Sequence, residues 1–182
     1  NHATMHLMAE LFERHDKKKF ELIAFSFGPN KSDEYRQRAI LAFDDFIDVS
    51  SKTDDEIALL AQKKNIDIAI DLKGFTQDCR TEIFAKKCAP IQVNYLGYPG
   101  TMGAEFIDYI VADKILIPEN KQQFYSEKIV YMPNSYQVNV SKITISNNLF
   151  EKSELNLPDT GFVFCCFNST YKITPETFTG WM

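Results

Sequence analysis

Short apolar runs alternate with amphipathic stretches along most of the chain. Apolar residues at helical spacing predict helices over residues 2–12, 34–43 and 54–64. Dense apolar runs predict strands over residues 20–27, 46–49, 67–72, 91–96 and 106–112. Strands that alternate with helices are typical of a doubly wound sheet, which carries helices on both faces. We therefore predict an α/β fold in which these strands join one largely parallel sheet.

The pattern becomes less regular after the last of these strands. Residues 118–125 predict a helical turn, and residues 129–132 predict a short strand. Residues 134–160 are polar and interrupted, which indicates a linker or the edge of an insertion. A dense apolar run predicts a further strand over residues 161–167, and a helix is predicted from Pro175, a position that tolerates proline.

These elements predict how the chain divides into domains. We expect one lobe over residues 1–133, a linker over residues 134–160, and the first strand and helix of a second lobe over residues 161–182. The chain has no initiator Met and its last residues follow a helical pattern. We therefore expect it to be a piece of a larger protein, with the second lobe truncated.

Two strand-to-loop transitions of the same kind lie in the middle of the chain. The strand at 67–72 runs into Lys73-Gly74-Phe75-Thr76, and the strand at 91–96 runs into the glycine-rich stretch 97–103. A short helical pattern at 80–87 separates them. A strand, a helix and a strand of this length form a crossover that makes the strands parallel. Both loops should then open at the carboxyl edge of one sheet, where open α/β sheets bind ligands.

The residue types in these loops suit binding, although each has a structural alternative. Gly74 would give the first loop a permissive backbone, and Thr76 would offer a hydroxyl group and an amide. In the second loop, glycines and a proline can direct backbone N–H groups toward a ligand, and they are Gly97, Pro99, Gly100 and Gly103. Both loops could instead be ordinary turns, and the strand-end Asp71 could be a capping carboxylate or a catalytic one. The stretch matches neither the dinucleotide fingerprint nor the Walker pattern.

Composition and charge argue against several classes of function. The 182 residues carry a net charge of −5 with a pI near 5.2, so the electrostatic footprint of a nucleic-acid-binding or membrane-surface protein is missing. No apolar run reaches the ~18 residues of a membrane-spanning helix, and no secretion signal is visible. The four cysteines form no CxxC pair, which favours free thiols in a cytoplasmic protein.

Several short motifs keep a common order along the chain, and together they point to a known family. They are Asn1-His2-Ala3-Thr4, Gly74-Phe75-Thr76, Ala89-Pro90-Ile91-Gln92, the long word from Leu96 to Ala104 (LGYPGTMGA), Tyr125-Ser126-Glu127-Lys128, and Phe167-Asn168. The sequence resembles the catalytic region of the protein O-GlcNAc transferases, glycosyltransferase family 41. That family includes bacterial relatives and the plant O-fucosyltransferase branch.

The resemblance implies the N-terminal, acceptor-side lobe of a two-lobed GT-B glycosyltransferase with a Rossmann-like sheet. The implied reaction transfers N-acetylglucosamine from UDP-GlcNAc to serine or threonine hydroxyls of an acceptor protein, without a metal or other cofactor. The diphosphate contacts of the family lie in the second lobe, so the isolated chain should be inactive. The alternatives are an O-fucosyltransferase that uses GDP-fucose and a non-catalytic peptide-binding module. Tetratricopeptide repeats commonly precede this region in the family, and the chain shows no such repeat.

The resemblance also implies roles for individual residues. His2 would lie in the active-site cleft as a base or a substrate contact, and the alternative is a terminal histidine without a role. Four residues of the second loop would line the acceptor side of the cleft, namely Leu96, Gly97, Tyr98 and Pro99. Asn168 would lie near the cleft between the lobes. Lys73 stands where the family often has asparagine, which is a departure at an acceptor contact.

Overall fold

The fold was analysed in a computed structural model that describes residues 3–29, 33–141, 143 and 145–182. The chain divides into two units, Asn1–Lys142 and Ile143–Met182. Among the described residues, no helix combines the length and the apolar character that crossing a membrane requires.

The first unit begins with two helices and two strands. Helix α1 (Ala3–Arg14) is followed by strand β1 (Ile23–Ser26), helix α2 (Glu34–Ala42) and strand β2 (Asp45–Asp48). The strands β1 and β2 pair in parallel and form a sheet of two strands. Helix α2 begins after Asp33, whose carboxylate accepts a hydrogen bond from the backbone N–H of the third helical residue, as an N-cap should.

The second sheet contains four parallel strands in sequence order. They are β3 (Ile68–Asp71), β4 (Ile91–Asn94), β5 (Tyr109–Ala112) and β6 (Lys128–Tyr131). In the register of β3 and β4, Asp71 lies opposite Asn94. All four strands are parallel, so their carboxyl ends and the loops that follow them lie at one edge of the sheet.

Short helices connect these strands. Helix α3 (Asp54–Lys63) leads into β3, and its start carries a capping box in which Thr53 and Glu56 each bond to the backbone of the other. Helix α4 (Glu82–Ala85) connects β3 with β4, and a 3₁₀ helix (Glu119–Phe124) connects β5 with β6. The capping box and the acidic first turn explain why α3 begins where it does.

Three clusters of apolar side chains hold this unit together: two involve helices α1 to α4, and a third lies around β5. The first joins α3 and α4 to both sheets, and its buried members are Val49, Ile57, Ala58, Ala61, Ile83 and Cys88. The second packs α1 against α2 and the loop after β4, through Met8, Phe12, Ala42 and Leu96. Burial raises the pKa of the Cys88 thiol to about 11, which keeps this thiol protonated at neutral pH.

The α/β class with parallel strands is confirmed, but one part of the predicted topology is wrong. The five strands predicted to form one sheet are divided among two hydrogen-bonded sheets, and β6 joins the second of them. Among the described residues, β1 and β2 connect to β3 through side chains, since Val49 and Ala69 share a core cluster. Strands β1, β3, β4 and β5 are also shorter than the apolar runs that predicted them; for example, Phe20 is 61% exposed and precedes β1.

The second unit differs from its prediction in one element. Residues 161–167 were predicted to be a strand, yet they form no strand, and Phe162, Phe164 and Phe167 are each more than four-fifths exposed. A strand requires a hydrogen-bonded neighbour, and no described residue pairs with this segment. Helix α5 (Pro175–Trp181) is confirmed, because the Thr174 side chain caps its start and Pro175 occupies the first turn.

The first cluster makes a stability prediction. Ile57 on α3 is fully buried, so Ile57→Ala should lower the free energy of unfolding by about 2–5 kcal/mol through lost packing and a residual cavity. Leu59 lies on the same helix but is 53% exposed, so Leu59→Ala should cost well under half as much. Urea unfolding of the purified protein measures both. Equal losses for the two variants would contradict the assignment of this core.

Candidate functional site

A cavity of about 320 Å³ opens where β3 and β4 end. It is lined by the start of α1, the loop after β3, the loop after β4 and one residue that follows β6, namely by Ala3, Thr4, Leu7, Leu72, Lys73, Thr76, Gln77, Leu96, Gly97 and Gln137. The prediction that both loops open at one edge is therefore confirmed. This is the edge at which open α/β sheets bind ligands, and the volume is at the lower end of that of ligand pockets.

The loop after β3 is shaped by the carboxylate of Asp71. Asp71 is 7% exposed, and its Oδ1 accepts hydrogen bonds from the backbone N–H groups of Lys73 (2.8 Å) and Gly74 (3.0 Å). The Thr76 hydroxyl donates to the Lys73 carbonyl at 3.1 Å, and the Thr76 N–H donates to the Gly74 carbonyl at 2.8 Å. Asp71 thus holds the loop that follows its own strand, and Thr76 closes that loop.

The loop after β4 is held by the side-chain amide of Asn94, which donates to backbone carbonyls where Asp71 accepts from backbone N–H groups. This side chain is fully buried, and its Nδ2 donates to the carbonyls of Tyr98 (3.0 Å) and Gly100 (3.2 Å). Leu96 has φ +71°, and the Gly97 N–H donates to the carbonyl two residues earlier at 2.9 Å. Such a tight turn around a non-glycine residue with positive φ is rare and strained. The strain lies at a residue that lines the cavity, which is where functional sites concentrate it.

Glycines allow the two loops to interlock. A Cβ atom on Gly97 would lie 2.2 Å from the Leu72 carbonyl oxygen, and one on Gly74 would lie 2.5 Å from the Tyr98 Cβ. A Cβ on Gly100 would lie 2.9 Å from the ring of Tyr98. Gly74 and Gly97 are therefore required by contacts between the loops, and Gly100 by a contact within the second loop, so packing alone explains their presence.

A buried carboxylate from the neighbouring connection anchors the far end of the second loop. Glu127 lies just before β6 and is 4% exposed. Its Oε2 accepts a hydrogen bond from the Thr101 hydroxyl at 2.7 Å, and its Oε1 accepts one from the Met102 N–H at 2.6 Å. The position of the second loop therefore depends on three parts of the sheet: β4 precedes the loop, the segment after β3 contacts it, and β6 begins beside its anchor.

A carboxylate directly after β5 positions the segment that contains Gln137. Asp113 directly follows β5, and hydrogen bonds from the backbone N–H groups of Leu116 and then Tyr136 hold its pKa below the usual range. The distance from the Tyr136 N to the Asp113 Oδ2 is 2.8 Å. The Tyr136 carbonyl in turn accepts a hydrogen bond of 2.8 Å from the Tyr95 hydroxyl. These contacts bring Gln137 to the cavity, although it lies in a segment with no regular structure.

The electrostatic character of the cavity comes from few groups. Among the described residues that line the cavity, Lys73 is the charged one. Helix α1 begins at Ala3, and the N-terminus of a helix carries partial positive charge, equivalent to roughly half an elementary charge. Among the described residues, no group of three His, Cys, Asp or Glu side chains is arranged to hold a metal ion.

A second cavity, of about 550 Å³, lies at the opposite edge of the same sheet. Its lining residues precede β3 and β4, and they are Gln62, Asn65, Ile66, Asp67, Lys87, Cys88, Ala89 and Pro90. The Gln62 side chain bonds to the carbonyls of residues 86 and 87 at 3.4 and 3.0 Å, which tethers α3 to the end of α4. The amino edge of a parallel sheet is rarely a binding site, so the smaller cavity is the better candidate.

Some of the residues predicted for the site line the cavity, and others do not. Thr76, Leu96 and Gly97 line the cavity, whereas Gly74 and Tyr98 pack between the two loops and do not line it. Pro99 is exposed and lies outside the lining.

Two further candidates cannot be placed beside the cavity. His2 lies outside the described residues, although it directly precedes Ala3 in the sequence. Asn168 belongs to the second unit, where it is exposed and its Oδ1 accepts a hydrogen bond from the Ser169 N–H at 2.8 Å. Their predicted roles stay predictions.

Sequence reasoning did not single out several residues of the site. Leu7, Gln77 and Gln137 line the cavity, and Glu127 and Asp113 position its walls. The signal for Glu127 was its place in the family word at 125–128. No motif in the sequence pointed to Gln137. Its position depends on the hydrogen bond that its neighbour Tyr136 donates to Asp113, which lies 23 positions before Tyr136.

The close contact of Gly97 with the Leu72 carbonyl predicts that a side chain at position 97 destabilises the protein. Gly97→Ala places a methyl group against a backbone carbonyl that cannot move freely, so it should lower the free energy of unfolding by about 1–3 kcal/mol. Gly28→Ala is the control, because Gly28 has open space around its Cβ position and no positive φ. Thermal unfolding of both variants measures the difference. If Gly97→Ala were as stable as Gly28→Ala, the loops would not be interlocked as described.

Comparison with known proteins gives a consistent result. Residues 1–153 match the family model described as Glycosyl transferase family 41. The chain is 39% identical over its whole length to the probable UDP-N-acetylglucosamine–peptide N-acetylglucosaminyltransferase SEC of Arabidopsis thaliana, and it spans 19% of that protein. It is 36% identical to the UDP-N-acetylglucosamine–peptide N-acetylglucosaminyltransferase of Caenorhabditis elegans, with 75% of the chain and 12% of the relative covered.

A solved structure extends the likeness to three dimensions. The structure of a mutant of the Thermobaculum terrenum O-GlcNAc transferase superposes on 75% of the chain with a TM-score of 0.71 and 31% identity, and the match covers 26% of the chain in that structure. The chain spans only a fifth or less of the length of the two curated relatives named above.

Proposed function

The chain belongs to glycosyl transferase family 41, and we propose that it forms the acceptor-side lobe of a longer glycosyltransferase. The proposed enzyme transfers N-acetylglucosamine from UDP-GlcNAc to serine or threonine hydroxyls of acceptor proteins. The observation that carries this proposal is the 39% identity, over the whole chain, to a relative named for that activity. The cavity at the carboxyl edge supports it, since it offers a place where an acceptor segment could bind.

The reaction sets three requirements for the protein. The hydroxyl oxygen of the acceptor forms a bond with the anomeric carbon of the sugar, and the bond from that carbon to the diphosphate oxygen breaks. The hydroxyl proton must pass to a base or to solvent, and UDP leaves with the bonding electrons. The enzyme must therefore orient the hydroxyl, remove its proton and stabilise the departing diphosphate.

The residues of the cavity suit the first requirement. Leu7, Leu72 and Leu96 provide apolar walls, and Thr76 and Gln137 provide polar groups among them. A mostly apolar pocket with a few placed polar groups is the usual design of a site that orients a ligand. Because the two loops are interlocked, Leu72, Leu96 and Thr76 are held in place before a ligand arrives.

The second requirement, removal of the proton, falls to His2 in this proposal. The support is the resemblance of the first residues to the family word and the position of His2 directly before Ala3, which lines the cavity. Histidine has an ordinary pKa of about 6.5, so its imidazole can accept a proton near neutral pH.

The third requirement belongs to a second lobe. The proposal assigns the diphosphate contacts to a nucleotide-sugar lobe that begins near residue 161 and includes Asn168. We further propose that the longer protein carries tetratricopeptide repeats, that it is cytoplasmic and that it transfers the sugar without a metal ion. These points are supported by the family resemblance.

The choice of donor is the direct test of the proposed function. The full-length protein should transfer sugar from UDP-GlcNAc to an acceptor peptide, with no loss of activity in EDTA and with little transfer from GDP-fucose. The 182-residue chain alone should neither transfer nor bind UDP-GlcNAc at ordinary ligand concentrations. Radiolabelled-sugar transfer measures the first result and calorimetry the second. Transfer from GDP-fucose alone would identify a fucosyltransferase instead.

The proposed base makes a separate prediction. His2→Ala in the full-length protein should lower kcat by ~10²–10⁴-fold and leave the melting temperature unchanged, because a positioned acid–base group supplies a factor of that size. His6→Ala is the control, since the His6 ring packs on Tyr35 at a centroid distance of 4.2 Å. A loss of only about tenfold for His2→Ala would indicate a contact residue, and full activity would rule out any role in the reaction.

A further inference from the structure

Among the described residues that line the cavity, one is charged, and the protein as a whole has a net negative charge. Lys73 lies among apolar residues and uncharged polar ones, and none of the described lining residues is a carboxylate. The chain as a whole carries a net charge of −5. One cation beside a helix start attracts an anionic group, and the surrounding apolar walls strengthen that attraction by lowering the local dielectric constant.

The Lys73 ammonium has no charge partner among the described residues. Other lysines of the same unit do have partners: Lys64 lies 2.7 Å from a carboxylate oxygen of Asp45, and Lys86 lies 3.0 Å from one of Asp55. The backbone of Lys73 is nevertheless fixed on both sides, because its N–H donates to Asp71 and its carbonyl accepts from Thr76. The loop therefore holds the backbone of Lys73 at the wall of the cavity, while the ammonium keeps its hydrogen-bonding capacity for a ligand.

The chemistry of the lining favours one kind of anion. A diphosphate carries more than one charge and is usually bound by several donors or by a helix start together with a lysine and a metal ion. Here the described lining residues offer one ammonium and one helix start, beside apolar walls formed by Leu7, Leu72 and Leu96. Positive charge of this size, without a second cation or a cluster that could hold a metal ion among the described residues, matches a single carboxylate on an otherwise uncharged peptide better than it matches a multiply charged diphosphate.

We propose that Lys73 is a specificity-determining residue that selects acceptor segments carrying an acidic side chain near the hydroxyl that is modified. The inference rests on the proposed function and deepens it by naming the chemical class of the acceptor. Specificity here is a difference between two affinities: the carboxylate gains an ion pair in the cavity, and an uncharged amide of the same shape does not. Since Lys73 is half-buried, the preference should be about three- to tenfold and should shrink as salt is added.

The experiment compares two acceptor peptides that differ at one position, Asp or Asn, beside the same serine. For the full-length wild-type protein, kcat/KM should be about three- to tenfold higher for the Asp peptide. Lys73→Arg should keep that preference, Lys73→Met should abolish it, and Lys73→Glu should reverse it. Lys114→Met is the control, because Lys114 lies beyond β5, pairs with Glu119 at 2.8 Å and is not part of the cavity. It should leave the preference unchanged.

Other results would overturn the inference, and they differ from a failure of the proposed function. Equal kcat/KM for the two peptides in wild type would overturn it. So would a Lys73→Met variant that raises KM for UDP-GlcNAc and keeps the peptide preference, since the ammonium would then serve the diphosphate. If wild type transferred no sugar to either peptide, the proposed function would fail. In that case the affinities of the two labelled peptides, measured by fluorescence anisotropy, still decide whether Lys73 selects the acidic one.

Discussion

The site depends on polar side chains that are buried where three neighbouring parallel strands end. Asp71, Asn94 and Asp113 stand at or just after the ends of β3, β4 and β5, and each is bonded to the backbone of the segment that follows. A buried polar group left unpaired costs about 1–3 kcal/mol, so each of these side chains constrains the path of its loop. The carboxyl edge thereby gains irregular loops with defined shapes.

Close contact between the loops adds to this constraint. Gly97 lies against the Leu72 carbonyl, and the Tyr98 ring fills the space between Gly74 and Gly100. The strained turn at Leu96 persists because its neighbours on both sides are fixed. A cavity built in this manner is formed before a ligand arrives, and such preorganisation lowers the entropic cost of orienting a reactive hydroxyl.

The crossover from β3 through α4 to β4 could be predicted from the sequence, because periodicity and length are local signals. The same holds for the shared edge of the two loops and for the cap at Thr174. The division into two sheets and the absence of a strand at 161–167 could not be predicted, since strand pairing depends on partners distant in the chain. Glu127 and Gln137 reach the site through contacts that a single sequence does not display.

The central claim is that the acceptor segment binds at the carboxyl edge of the four-stranded sheet. An acceptor peptide with a photoreactive group in place of the modified serine tests this claim most directly, after illumination with the full-length protein and mapping of the cross-links by mass spectrometry. The account predicts cross-links to the start of α1, the loop at 72–77 and the turn at 96–97. Cross-links at 62–67 and 87–90, around the cavity at the opposite edge, would contradict it.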